Sequence, residues 1–288
     1  MKKLKSIFDK LFYKDVVVTL QNGETKTIHK KRNLILFYFL LVVAIVAICF
    51  IFIDIPSKIR LNQFSYIFSQ LFVPSEWSLK TDEGYKNYIF TTAIPKIWQT
   101  IEMVGIATFI GTVISVPFYI LASSNIFTSK KVYLPVRIIL NIFRSIPTFV
   151  LAVIATVFFG FNETSGVVAM ALFTGGVLFK LMYEQIETCD MNPYEAVTAT
   201  GAKRMQAYNI AISPQIKPTL ISNIIYVFEI NVRASVILGF VGAGGIGQLL
   251  SDAIDSTNYD KVGAILIPLF IVVVVLQLLS SYLRRKVQ

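Results

Sequence analysis

The sequence is poor in the side chains that usually carry chemistry. Its 288 residues include two cysteines and one histidine. Cys49 stands in an apolar run and Cys189 in a polar loop, with no C-x-x-C spacing, so neither a disulfide framework nor a thiolate metal site is indicated. His29 sits in a basic stretch, which leaves no partner for a Ser-His-Asp or Cys-His arrangement and no H-E-x-x-H zinc site. No G-x-x-x-x-G-K-[ST] occurs, so the chain supplies no Walker-type nucleotide site of its own. Charge is scarce too, at 15% of residues against about 25% in soluble domains. No resident cofactor or metal is expected.

Apolar residues fill the gap, at 55% of the chain. A bilayer core of about 30 Å takes roughly 20 apolar helical residues, and six stretches approach that length: 33–53, 98–122, 138–161, 166–182, 219–240 and 262–283. The fold class expected is an all-α polytopic membrane protein. A net charge of +10 raises the possibility of nucleic acid, but the positive residues cluster at the ends of apolar stretches, which is the pattern of membrane topology. Lys and Arg number nine before residue 33, and three in each of 123–137, 183–217 and 284–286. The opposite side holds only Lys58, Arg60, Lys80, Lys86, Lys96 and Lys261. By the positive-inside rule both termini are cytoplasmic.

This divides the chain into a basic N-terminal segment (1–32), a first membrane helix (33–53), an extracytoplasmic segment (54–97), a membrane core (98–283) with a cytoplasmic loop at 183–217, and a short tail (284–288). The first span has the Lys-rich approach of a signal peptide. Its length, and Asp54-Ile55-Pro56 where small residues would mark cleavage, favour a retained helix. Before it, 16–20 and 25–28 flank Gln21-Asn22-Gly23-Glu24 and read as a small hairpin. Phe64, Tyr66, Phe68, Phe72 and Trp77 make 54–97 either an amphipathic segment on the membrane or a docking surface.

The loop after the fourth span is the most informative. In Met191-Asn192-Pro193-Tyr194-Glu195, Asn192 suits an N-cap, Pro193 the first helical position and Glu195 the third, so a helix is expected to start at Pro193. Ala196, Ala199 and Gly201 are small and permit close approach by another protein. On local chemistry alone, an interfacial helix followed by a turn fits better than a contact with another protein. The spacing Glu195-Ala196, then Gly201, then Pro214 resembles the EAA loop of ABC importer permeases, whose pattern is EAA, three residues, G, nine residues, I-x-L-P. Val197, Ala211 and Ser213 depart from that pattern, while the Glu, Gly and Pro stand in place. The resemblance implies a type I importer architecture with a coupling helix seated in a cleft of a separate ATPase dimer, which holds the ATP and Mg. It also implies a substrate-binding protein outside, a second permease copy and residence in a prokaryotic cytoplasmic membrane.

Two further stretches are similar to the phosphonate-type permeases within that group. These are Arg144-Ser145-Ile146-Pro147, and the run from Phe228 through Glu229, Arg233 and Ser235 into Gly242, Gly244, Gly245 and Gly247. Methionine-type permeases share the Arg-Ser-Ile-Pro and Gly-rich parts, while Glu229 and Arg233 mark the phosphonate group. These two stand at i and i+4 inside a span where each charge costs about 2.5–3.5 kcal/mol on insertion scales. Two roles fit: a neutralising pair that fixes packing, or an arginine shared with a crossing anion such as phosphonate or phosphite.

Gly242, Gly244 and Gly247 satisfy G-x-G-x-x-G, but a membrane span precedes them where the dinucleotide motif needs a βαβ unit. A tight external turn that serves as a gate or a contact for the binding protein fits better. Arg144 is expected at the cytoplasmic end of the third span, with Pro147 and Pro117 bending their helices. Gly105, Gly111 and Ser115 suit close helix packing. An ion-coupled carrier would need broken helices in two related halves, and no inverted repeat is visible. An intramembrane enzyme would need catalytic groups the spans lack.

Overall fold

Long apolar runs have one stable answer in lipid, because a helix satisfies its own backbone hydrogen bonds there. The computed structural model describes residues 13–19, 25–31, 35–52, 64, 65, 68 and 82–287. Two compact units result, 1–61 and 62–288. In the first, β1 (Tyr13–Thr19) pairs antiparallel with β2 (Thr25–Lys31), Val16 opposite Ile28, which realises the expected hairpin. It is followed by α1 (Ile35–Phe52), 18 residues without a charge. The edges expected for that span, Asn33 and Ile53, lie outside the described residues, as do Tyr66, Phe72 and Trp77.

The second unit is helical: α2 (Asp82–Tyr88), α3 (Ile94–Ala122), α4 (Lys130–Ser145), α5 (Thr148–Phe159), α6 (Glu163–Thr188), α7 (Asn192–Ala199), α8 (Arg204–Ala207), α9 (Ser213–Gly239), α10 (Gly245–Asp255) and α11 (Tyr259–Val287). Among the described residues, four helices are long and apolar enough to cross a membrane: Lys86–Ala122, Glu163–Thr188, Arg204–Gly239 and Tyr259–Val287.

The expected third span, 138–161, is not one helix. α4 and α5 meet at 90°. Pro147 has no N–H to continue the ladder, and it holds the preceding Ile146 in an extended conformation, φ −74° and ψ 123°. Pro117, by contrast, lies inside α3 without ending it. The break also relocates Arg144. In the last turn of α4, its Cα lies against Gly176, halfway along α6 rather than beside an end of that helix, and its side chain is exposed.

Two five-residue π turns, Ile89–Ala93 and Tyr208–Ile212, are built into the long helices. Each closes two residues before a proline, Pro95 and Pro214. In regular helix those rings would strike the carbonyls of Thr91 and Ile210; the wider turn instead carries Ile94 N–H to Ile89 O and Ser213 N–H to Tyr208 O. Residues 204–217, assigned to the cytoplasmic loop, are therefore continuous with the fifth span in one helix from 204 to 239.

α3 and α6 pack tightly where Gly111 abuts Ala171; a Cβ there would lie 2.5 Å from the Ala171 carbonyl. Ser115 is buried, whereas Gly105 lines an open groove with Phe109, Ile224, Phe228 and Leu279. Asn231 of α9 is fully buried and donates to Thr108 Oγ1 (3.1 Å) and Thr174 Oγ1 (2.7 Å), tying α3, α6 and α9 together. Such a knot fixes helix register in an apolar medium that offers its amide no other partner.

Candidate functional site

At the base of α6, the chain is clamped before it enters the loop. Arg137 of α4 lies 4.8 and 4.6 Å from the Tyr133 and Tyr183 ring centres, donates to Ala122 O (2.7 Å) and pairs with Glu187. Cys189 follows, its thiol donating to Ile186 O at 3.0 Å. Partial burial pushes that thiol above its ordinary pKa. Gln215 reaches across from α9, accepting from Asp190 N–H (3.2 Å) and donating to Asp190 O (3.0 Å), and so closes the loop at its neck.

The short helix α7 begins at Asn192, one residue before the expected start, and Asn192 is not its cap. The cap position is Met191, without a side-chain bond, while Asp190 Oδ1 accepts the Asn192 N–H at 3.0 Å. Glu195 makes no capping box; its N–H bonds Met191 O at 3.0 Å. Tyr194 is buried among Tyr183, Ile186, Tyr208 and Ile212, with Val197 packed against the same cluster. Glu195, Ala196 and Ala199 are exposed. The helix thus has one anchored face and one bare face of small residues beside a carboxylate. Gly201 ends it at φ +86°, a conformation that strains other residues, and a side chain there would meet nothing within 4 Å. Val197 and Ala211, two of the departures from the EAA pattern, lie on the inward side, where they leave the bare face unaltered.

The expected Glu229–Arg233 pair forms, on α9. Two partners that sequence spacing concealed join it from α11: Ser280 Oγ donates to Glu229 Oε2 at 2.7 Å and Arg284 Nη2 at 3.3 Å. Arg284, assigned to the tail, is inside the last helix and lies over the Tyr226 ring. Glu229 is 7% exposed, whereas the Arg233 side chain is half exposed. Two guanidinium groups on one carboxylate leave one positive charge in excess.

The glycine-rich turn joins α9 to α10. Gly242, Gly244 and Gly245 all have positive φ, at +72°, +79° and +72°. The turn packs on the α5–α6 connection: a Cβ at Gly242 would lie 2.6 Å from Phe161, and one at Gly244 2.6 Å from Glu163. Thr100 Oγ1 accepts the buried Ile246 N–H at 2.8 Å. Gly247 is helical and touches Gly239, so that any side chain would fall inside the Val236 backbone.

Residues 116–288 match the family model described as the binding-protein-dependent transport system inner membrane component. The phosphate-import permease protein PhnE of Mycolicibacterium smegmatis is 35% identical over 220 residues, 76% of this chain and 40% of that protein. The phosphite transport system permease protein PtxC of Stutzerimonas stutzeri is 34% identical over 202 residues, 70% of this chain and 72% of the relative. This chain thus spans well under half the length of the first relative. Among solved structures, the inward-facing MetNI methionine ABC transporter superposes with a TM-score of 0.61 at 25% identity, covering 69% of this chain and 97% of the matched one. A family match over more than half the length, on a fold shared with an ABC transporter chain, means that this chain belongs to the binding-protein-dependent transport system inner-membrane components.

Proposed function

We propose that the chain is the transmembrane permease subunit of an ABC importer that carries a phosphonate-like anion, such as phosphonate or phosphite, into the cell. In this reading both termini and the 190–214 loop are cytoplasmic, and the glycine turn is external. ATP is hydrolysed on a partner ATPase dimer, a binding protein delivers the anion to the outer face, and a second copy of this chain or a close relative completes the pathway. The chain itself makes and breaks no bond.

The observation that carries the reading is the bare face of α7. Glu195, Ala196, Ala199 and Gly201 are held in place by the buried Tyr194 yet are exposed themselves. A small-residue helix face anchored from behind fits insertion into a cleft on another protein. Clamping by Arg137–Glu187 and Gln215–Asp190 makes the loop move with α4, α6 and α9, so that a push at α7 reaches the spans.

The anion is supported by charge at membrane depth. Arg233 and Arg284 share Glu229, and Arg144 is exposed at the α4–α5 break, where irregular backbone is tolerated only within protein or along water. Guanidinium groups suit phosphonate oxygens because they donate in pairs. The relatives named for phosphate and phosphite transport point the same way. The glycine turn, crowded against Phe161 and Glu163, suits a gate or the binding-protein contact.

The test is reconstitution. The chain copurified with its ATPase should show ATP hydrolysis that rises with a loaded binding protein, and uptake of labelled phosphonate or phosphite into vesicles. Stimulated hydrolysis with uptake of a neutral amino acid instead would remove the anion assignment.

A further inference from the structure

Three long helices enclose a groove that has no part in the transport reading. Gly105 and Phe109 of α3, Ile224 and Phe228 of α9, and Leu279 and Leu283 of α11 wall a volume of about 540 Å³. On each helix these residues repeat at a spacing of four, so the groove runs along the helix axes. The hydroxyls beside it are engaged: Thr112 Oγ1 donates to Thr108 O and Ser280 Oγ to Glu229 Oε2, each at 2.7 Å. What the groove presents is carbon, which suits neither water nor a small anion. Gly105 gives it depth, because a Cβ there would meet nothing within 4 Å. An empty slot of this kind forfeits dispersion contacts, so a chain-shaped apolar occupant is favoured.

One end of the groove is charged. Glu229 meets Ser280 and Tyr226 meets Arg284, so α9 and α11 run antiparallel and the start of α9 lies with the end of α11. Helical spacing carries the groove-lining faces on to Lys217, seven residues before Ile224, and to Lys286, seven after Leu279. Both lysines are exposed, and neither makes an ion pair among the described residues. With cytoplasmic termini, this end faces the inner leaflet, where anionic lipids gather.

We propose that the groove holds one acyl chain of an anionic phospholipid from the cytoplasmic leaflet, with its phosphate between Lys217 and Lys286. Length agrees: the α11 wall from Leu276 to Leu283 spans about 10 Å, against about 15 Å for half of the hydrocarbon core. Charge selects lipid over the other occupants. A second copy meeting this face with its own would bring two more lysines to the mouth, and α1 has no charged residue to answer them. A phosphate answers both. The inference rests on the proposed orientation but not on the transported substrate.

The purified full chain in detergent is titrated with phosphatidylglycerol or phosphatidylcholine of identical acyl chains, and bound lipid is counted by native mass spectrometry. Phosphatidylglycerol should be retained in preference to phosphatidylcholine. Lys217→Gln and Lys286→Gln should each cut that preference roughly fivefold, the effect of about one lysine at an anionic surface. Lys130→Gln, at an exposed position on α4, should leave it unchanged. Gly105→Leu should fill the groove, stay monodisperse and retain neither lipid. Equal retention of the two lipids by the wild type would overturn the proposal, as would undiminished phosphatidylglycerol retention in Gly105→Leu. So would a wild-type dimer that Gly105→Leu splits, since the groove would then hold a second copy. Uptake enters none of these readouts, so the lipid site and the transport reading can fail separately.

Discussion

Glycines at the two ends of the helical unit obey different constraints. Gly239, Gly242, Gly244 and Gly247 are crowded by neighbours from this chain, whereas Gly201, at positive φ like Gly242 and Gly244, has open space around it. The glycine turn is thus specified from within, by close contact with Val236, Phe161 and Glu163. The α7 face is not specified by anything it touches here. A residue type confined by internal packing reports on folding; one left small and bare reports on what comes from outside. Changes at the turn should therefore damage the fold, and changes on the α7 face should spare the fold and damage only the ATPase coupling proposed for it.

The largest effect is expected at Gly247→Val, where the new side chain overlaps the Val236 backbone. Little monodisperse protein should survive size exclusion in detergent. A well-folded variant would break the contrast at its crowded end. Next is Glu229→Gln, which leaves Arg233 and Arg284 without a counter-charge and should cost about 3–5 kcal/mol in thermal or denaturant unfolding. Arg233→Gln removes the half-exposed partner and should fold while losing anion uptake. If uptake persists, the pair is structural.

Much of this was legible in the sequence. Apolar length located the four long helices, and Pro147 marked a bend within the expected third span that is in fact a 90° break between two helices. The Glu229–Arg233 pair followed from i, i+4 spacing. What escaped was non-local. Asn231 meets partners 123 and 57 residues away, and Arg284 folds back onto a carboxylate 55 residues earlier. Nothing near either residue in the chain announces those contacts. The cap of α7 escapes sequence reading for a local reason: Asp190, Met191 and Asn192 compete for the same helix end, and the Asp190 carboxylate takes the Asn192 N–H that a capping box would give to Glu195. The depth of Arg144 depended on a 90° angle that Pro147 makes available without fixing.

Smaller effects sharpen the comparison. Thr100→Val removes the acceptor for the buried Ile246 N–H and should destabilise by about 1–3 kcal/mol, read as a lowered melting temperature with the family of contacts around the turn otherwise retained. The smallest stability change is expected at Gly201→Asp. A left-handed position costs about 1 kcal/mol for a side chain that tolerates it, and no neighbour obstructs the Asp.

That last variant also supplies the most direct test of the account. In proteoliposomes holding the chain, its ATPase and the binding protein, ATP hydrolysis is measured with and without the loaded binding protein, for wild type and Gly201→Asp. The account expects stimulation and anion uptake in the wild type, and in Gly201→Asp an intact, folded permease whose binding protein no longer stimulates hydrolysis. Equal stimulation in both would contradict it, because the bare face of α7 would then not be where this chain meets its motor.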